Sequence, residues 1–246
     1  MHTQTQAMLV ADRERIVARY LGFWIGLFTA FIALIGFTIA FLTPPRSGPF
    51  CAGNCVQYPY TNTTAFFPRD YWWVIPSILL TPLFMILCAC VHSCSASEHK
   101  IFSRIALMFA AIATGMVTLD YFIQWEVIQP SLLRNETDGI GLLSQYNPHG
   151  IFIAMEDLGY LMMSAAFFFL GASLVADSRL ARTIRWVLMG SAVLGVTTFI
   201  GMSLLYRNRL ETRFELAIIS INWAALAAAS IMLSFLFAQR RKHPAS

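Results

Sequence analysis

Three acidic residues lie inside long apolar runs of the sequence, where ionisable groups are rare. Asp120 lies in one run, and Glu156 and Asp157 lie in the next run along the chain. Ionisable residues at membrane depth mark functional sites by default, because hydrocarbon does not solvate charge. Such carboxyl groups can hold a small cation, relay a proton or take part in acid–base chemistry. The sequence therefore predicts an acidic site within a membrane-embedded part of the chain.

Further polar side chains share helical faces with these acids. Residues four or seven positions apart lie on one face of a helix, which places His149 and Tyr160 with Glu156. By the same spacing Gln124 shares a face with Asp120. Together with Asp157 and an asparagine at comparable depth, the predicted ligand-binding residues are Asp120, Gln124, His149, Glu156, Asp157, Tyr160 and Asn222. No metal-binding motif is predicted, and the sequence leaves catalytic residues and cofactors undefined.

The elements that must position these residues follow from composition. Of 246 residues, 57% are hydrophobic and 12% charged, whereas soluble domains are roughly a quarter charged. About 20 apolar residues cross a bilayer as a helix, and six runs are long enough: 21–42, 71–94, 101–128, 151–176, 186–206 and 214–238. We therefore predict an all-α integral membrane protein, a bundle of six transmembrane helices forming a single membrane domain over residues 1–246.

The predicted spans place the three acids at a similar depth. With a rise of 1.5 Å per residue, Asp120 lies about 12 Å below the outer end of the third span. Glu156 and Asp157 lie about 8 and 9 Å below the outer end of the fourth, antiparallel span. Asp157 is rotated by about 100° from Glu156, so these two acids cannot point at the same partner.

The distribution of basic residues sets the predicted orientation. Of the 17 Lys and Arg residues, eleven fall in the segments on the side of the N-terminus and six fall on the opposite side. Because cytoplasmic segments carry an excess of Lys and Arg, we expect cytoplasmic N- and C-termini, outer loops at 43–70 and 129–150, and a cell-membrane location. The net charge of +4 suits anionic lipid head groups rather than nucleic acid, so the expected partner is the lipid bilayer.

The first outer loop contains two cysteines, Cys51 and Cys55, separated by a short segment with Gly53. An oxidising exterior favours a disulfide between them, although the spacing also allows two free thiols. Asn62 and Asn135 begin glycosylation triplets, and both lie on the predicted outer side. The sequence does not show whether these two triplets are used.

Several segments resemble a group of small prokaryotic multi-pass membrane proteins to which no activity is assigned. The similar segments are Gln145–Ser164, Thr43–Pro45, Cys51–Tyr60 and Phe67–Asp70. The resemblance covers most of the chain. It implies a prokaryotic plasma-membrane protein and transfers no catalytic residue.

The sequence favours a protein whose acidic pocket, in the outer half of the bundle, binds a small cation, a proton or an amphipathic ligand for transport or sensing. One alternative is an intramembrane enzyme that uses carboxylates and His149 for acid–base or metal chemistry on a lipid-like substrate. A second alternative is a structural or assembly subunit, in which the carboxyl groups only join helices. Whether the chain forms a homo-oligomer or joins a complex stays open.

Overall fold

The computed structural model describes residues 2–242, and within that range the chain forms helices and no strand. Six of these helices are long and apolar enough to cross a membrane, which confirms the predicted helical class and the predicted number of long apolar helices. We name them in chain order: α1 (His2–Leu42), α2 (Val74–Cys94), α3 (Lys100–Ile123), α4 (Ile151–Ser173), α5 (Arg179–Tyr206) and α6 (Glu211–Lys242).

The helix boundaries differ from the predicted spans mainly at polar flanks. α1 begins at His2 rather than near residue 21, and α6 continues to Lys242. A helix hydrogen-bonds its own backbone, so good helix formers such as Arg and Glu extend it beyond the apolar segment. Hydropathy therefore locates the part of a helix that suits lipid and misses the rest.

α3 continues through one turn of π-helix, Gln124–Ile128, into a short α-helical segment, Gln129–Leu133. Pro130 has no N–H to donate to the carbonyl of Glu126 four residues earlier, which loosens the α-helical ladder at this point. Single π turns inside helices occur frequently at functional sites. This turn follows directly on the segment that carries Asp120 and Tyr121.

The six helices pack in a closed ring, because each contacts the next along the chain and α6 also contacts α1. α4 additionally contacts α2 and α6, which makes it the central helix. Gly159 permits the close approach of α4 to α3, since a Cβ atom there would lie 2.5 Å from Cγ2 of Val117. The central position of α4 is what brings Glu156 into contact with several other helices.

The loop between α1 and α2 is folded against one end of the bundle, which we call the disulfide end. Cys51 and Cys55 form a disulfide, as predicted. Asp70 is buried and accepts hydrogen bonds of 2.8 Å from Arg46 and from Arg69. These ion pairs fix the loop beside the ends of α1 and α2, where it forms part of the wall of a cavity.

Candidate functional site

A cavity of about 350 Å³ opens at the disulfide end of the bundle. Its walls come from the end of α1, the loop that follows it, and the neighbouring ends of α3, α4 and α6. The lining residues that carry polar or aromatic groups are Phe41, Thr43, Arg46, Ser47, Phe50, Asp70, Trp73, Tyr121, Gln145, Tyr146, Phe152, Glu156, Thr212, Glu215 and Trp223. Ligand pockets of proteins have volumes of roughly 300–1,000 Å³, so this cavity is large enough for a small molecule.

Glu156 is the buried acid of this cavity. Its residue exposure is 1%, and Oε1 accepts a hydrogen bond from the hydroxyl group of Tyr121. The hydroxyl groups of Tyr121 and Tyr160 lie 2.9 Å apart, and the indole nitrogen of Trp223 donates to Tyr160 over 2.9 Å. Residues of α3, α4 and α6 therefore hold Glu156 in one orientation.

Glu215 of α6 is a second acid in the cavity, and the predicted site did not include it. Its half-buried carboxyl group lies within hydrogen-bonding reach of Glu156. The predicted sixth span begins at residue 214, which put Glu215 at the edge of the membrane. A signal was nevertheless present, because Glu215 and Asn222 are seven residues apart and so share a helix face.

Aromatic side chains form much of the cavity wall. Trp73 packs edge-on against Tyr121 and Phe152, with ring centroids 5.0 and 6.2 Å apart. Tyr146 and Trp223 lie on other parts of the wall. The faces of such rings carry negative electrostatic potential and attract cations.

The electrostatic balance of the cavity is negative when its carboxyl groups are ionised. Of the lining residues, Arg46 is the one with a basic side chain. Arg46 is already engaged, because it pairs with Asp70 over 2.8 Å and lies 4.4 Å above the ring of Phe66. Glu156 and Glu215 therefore have no cationic partner among the residues of the cavity wall.

Two residues of the cavity wall, Gln145 and Tyr146, each carry one fully buried polar atom. The hydroxyl group of Tyr146 and the amide nitrogen of Gln145 are buried, and neither forms a hydrogen bond within the described part of the chain. Burial raises the pKa of Tyr146 above its usual value, so its hydroxyl group stays protonated at neutral pH.

The other two predicted acids lie near Glu156 but outside the cavity. Asp120 is buried on α3 and Asp157 is partly buried on α4, and each is close enough to Glu156 to interact with its charge. Neither lines the cavity. Oδ2 of Asp120 and Oδ1 of Asp157 are buried and have no hydrogen-bond partner among residues 2–242. Of the three predicted acids, Glu156 is therefore the one that the cavity exposes.

The remaining predicted residues have separate surroundings. Gln124 joins the π turn to the segment before α4 by donating to Leu143 O over 2.6 Å and accepting from Gln145 N over 3.1 Å. Asn222 links α6 to α4, because its amide nitrogen donates to Ser164 Oγ over 3.1 Å. Tyr160 lies beside the cavity and belongs to the hydrogen-bond chain that leads to Glu156.

His149 is exposed at the disulfide end, before the start of α4. Its Nε2 lies 3.9 Å from Glu211, and it does not line the cavity. Among the described residues, no three His, Cys, Asp or Glu side chains converge in a way that could hold a metal ion. The residues that the geometry does bring together are two glutamates, two tyrosines and a tryptophan.

Comparisons with protein-family models, with curated proteins and with solved structures find no match for this chain. The chemistry of the cavity is therefore the basis on which a function can be assigned.

Proposed function

We propose that the cavity at the disulfide end binds a small organic cation, an amine or a quaternary ammonium compound, as part of transport or sensing across the cell membrane. The observation that carries the proposal is the pair of carboxyl groups, Glu156 and Glu215, in an aromatic-lined cavity whose one basic side chain, Arg46, is paired elsewhere. A desolvated carboxylate without a partner is costly. A cation that enters the cavity would supply that partner.

The aromatic walls favour an organic cation over a hydrated metal ion. An ammonium group within about 6 Å of a Trp or Tyr ring gains roughly 0.5–2 kcal/mol from the cation–π interaction. Trp73, Tyr121, Tyr146 and Trp223 are the rings available. Phe41 at the rim is 83% exposed and adds an apolar surface, which suits a ligand with both charged and apolar parts.

Proton exchange is part of this proposal. Two carboxyl groups in contact cannot both ionise easily, so without a ligand they share a proton. An arriving cation would stabilise both carboxylates and release that proton. The other ionisable groups around the pair are Tyr121 and Asp120 on α3, Tyr160 and Asp157 on α4, and the Arg46–Asp70 ion pair in the loop.

The proposal includes the predicted orientation. With both termini in the cytoplasm, the disulfide end faces the exterior, and the cavity receives its ligand from that side. The oxidising exterior agrees with the disulfide between Cys51 and Cys55. Four of the six long helices contribute to the cavity wall, so small relative movements of these helices would change its access.

The test is the binding of choline, a small quaternary ammonium compound, to the purified protein in a neutral detergent. Neohexyl alcohol, the uncharged carbon isostere of choline, is the control ligand. We expect choline to raise the melting temperature and the isostere to have little effect. The variants Glu156→Gln and Glu215→Gln should each weaken choline binding about tenfold or more, since interactions with a charged group contribute about 1.5–3 kcal/mol.

Glu126→Gln is the matched control variant, because Glu126 is exposed at the end of the same membrane span as Asp120 and lies outside the cavity. It should bind choline like the wild type. The proposal fails if choline and its isostere stabilise the protein equally. It also fails if choline binding survives in Glu156→Gln and Glu215→Gln, each shown to be folded by its melting curve.

A further inference from the structure

A second cavity, of about 370 Å³, lies at the opposite end of the bundle, beside the N-terminal half of α1 and the last turns of α6. Arg15 and Arg19 of α1 and Arg240 of α6 line it, together with a single acid, Asp177. The ends of α2 and α4 complete the wall. This cavity is separate from the acidic cavity and has the opposite charge.

Three arginines line this cavity and one acid does, so the positive charge of its wall is not fully neutralised. Asp177 pairs with Arg240 over 2.9 Å, whereas Arg15 has only an exposed contact of 4.0 Å with Asp12. Arg19 donates from Nη1 to the backbone oxygen of Arg240 over 2.7 Å. Nε of Arg19 is buried and has no hydrogen-bond partner among the described residues. Two guanidinium groups therefore remain available to an anion.

The rest of the lining is largely apolar and comes from the long helices and from the segments that follow α2 and α4. It includes Val91 of α2 and Leu233, Leu236 and Phe237 of α6. A ligand that fills this cavity would meet positive charge near the end of the bundle and hydrocarbon further in. This combination matches a molecule with an anionic head and an apolar tail.

We propose that this cavity binds a phosphate group through Arg15 and Arg19, and that the phosphate belongs to the head group of an anionic phospholipid. Guanidinium groups bind phosphate oxygens with paired, charge-assisted hydrogen bonds. Basic pockets between membrane-spanning helices bind phospholipid head groups in this way. The acyl chains lie along the apolar wall formed by α2 and α6.

The experiment measures the melting temperature of the full chain, purified in a neutral detergent and a phosphate-free buffer. Phosphatidylglycerol, phosphatidylcholine and inorganic phosphate are added separately. We expect phosphatidylglycerol to stabilise the protein most, at a lower concentration than the other two. A different outcome is that inorganic phosphate stabilises the wild type as much as phosphatidylglycerol does, with the effect lost when Arg15 and Arg19 are replaced. That result would support a phosphate site and assign it to a soluble anion.

Arg15→Gln is the principal variant, because it leaves the hydrogen bond from Arg19 to the end of α6 in place. It should weaken the effect of phosphatidylglycerol about tenfold, and the double variant Arg15→Gln, Arg19→Gln should abolish it. The control Arg179→Gln, Arg182→Gln removes two exposed arginines at the same end of the bundle, outside the cavity. This control should respond like the wild type.

The proposal is overturned if both double variants lose the lipid effect equally, since general surface charge would then explain it. It is also overturned if Arg15→Gln lowers the melting temperature by the same amount with every lipid and with none. In that case the arginines would only complement the negative ends of the helix dipoles.

Discussion

The indole nitrogen of Trp223 donates a hydrogen bond of 2.9 Å to the hydroxyl group of Tyr160, and this contact sets the direction of the hydrogen bonds that lead to Glu156. Tyr121 uses its single hydrogen to donate to Glu156. Tyr160 must then donate to Tyr121 across the 2.9 Å between their hydroxyl groups. Glu156 is thus the accepting end of a directed chain of hydrogen bonds.

Removing one hydroxyl group from this chain should destabilise the protein. Tyr160→Phe leaves the buried indole N–H of Trp223 without an acceptor and removes the donor to Tyr121. We expect a loss of about 1–3 kcal/mol in the free energy of unfolding, measured by denaturant titration in detergent micelles. The matched control is Tyr146→Phe, because the hydroxyl group of Tyr146 is buried without a described partner. A larger loss in the control than in Tyr160→Phe would contradict the directed chain.

Tyr146 also gives a prediction for alkaline pH. Burial raises its pKa in the folded state, whereas an unfolded chain ionises tyrosine near pH 10. The stability that the neutral hydroxyl contributes is therefore complete below about pH 10 and is lost as the pH rises from there toward the folded-state pKa. Above about pH 10 this residue should lower the free energy of unfolding by up to about 1.4 kcal/mol per pH unit. Tyr146→Phe should lose stability less steeply over this range; an unchanged slope would contradict the prediction.

The contact between α3 and α4 depends on Gly159. A Cβ atom there would lie 2.5 Å from Val117, a β-branched residue with little rotamer freedom. Gly159→Ala should therefore cost about 1–3 kcal/mol of stability, and Val117→Ala in the same chain should recover part of that loss. Gly190→Ala on α5 is the control, since nothing lies within 4 Å of a Cβ atom at that position. Equal melting temperatures for Gly159→Ala and the wild type would refute the close contact.

The number of free thiols can be counted directly by alkylation and intact mass. The structure contains one disulfide, Cys51–Cys55, and three free thiols, Cys88, Cys90 and Cys94. After denaturation without reductant, an alkylating reagent should add three groups to the chain, and after reduction it should add five, as read by intact mass. Five additions before reduction would show that the loop does not form the disulfide in the membrane.

The sequence alone was enough to predict the six long helices and part of the candidate site. Six apolar runs predicted six long helices because length and hydropathy determine what crosses a bilayer. Glu156 was found because an acid within an apolar run is conspicuous. Glu215 was missed because it lies at the edge of such a run, and its importance depends on how α6 packs against α4.

The surroundings of other residues depend on tertiary contacts that periodicity does not encode. Gln124 and Asp120 share a helical stripe, yet the π turn begins at Gln124, and this residue binds the segment before α4 instead. Asn222 was predicted to belong to the ligand-binding residues, and its partner in the structure is Ser164 of α4. The loop between α1 and α2 completes the cavity wall and is held by Asp70. A loop has no hydrophobic periodicity from which this arrangement could be predicted.

The most direct measurement of the central claim is calorimetric titration of choline into the protein in two buffers of different ionisation enthalpy. If a cation displaces the proton shared by Glu156 and Glu215, the two heats should differ by an amount that corresponds to close to one proton released per choline bound. Glu215→Gln should bind choline more weakly and release none. Identical heats in both buffers for the wild-type protein, or equal proton release in Glu215→Gln, would contradict the account.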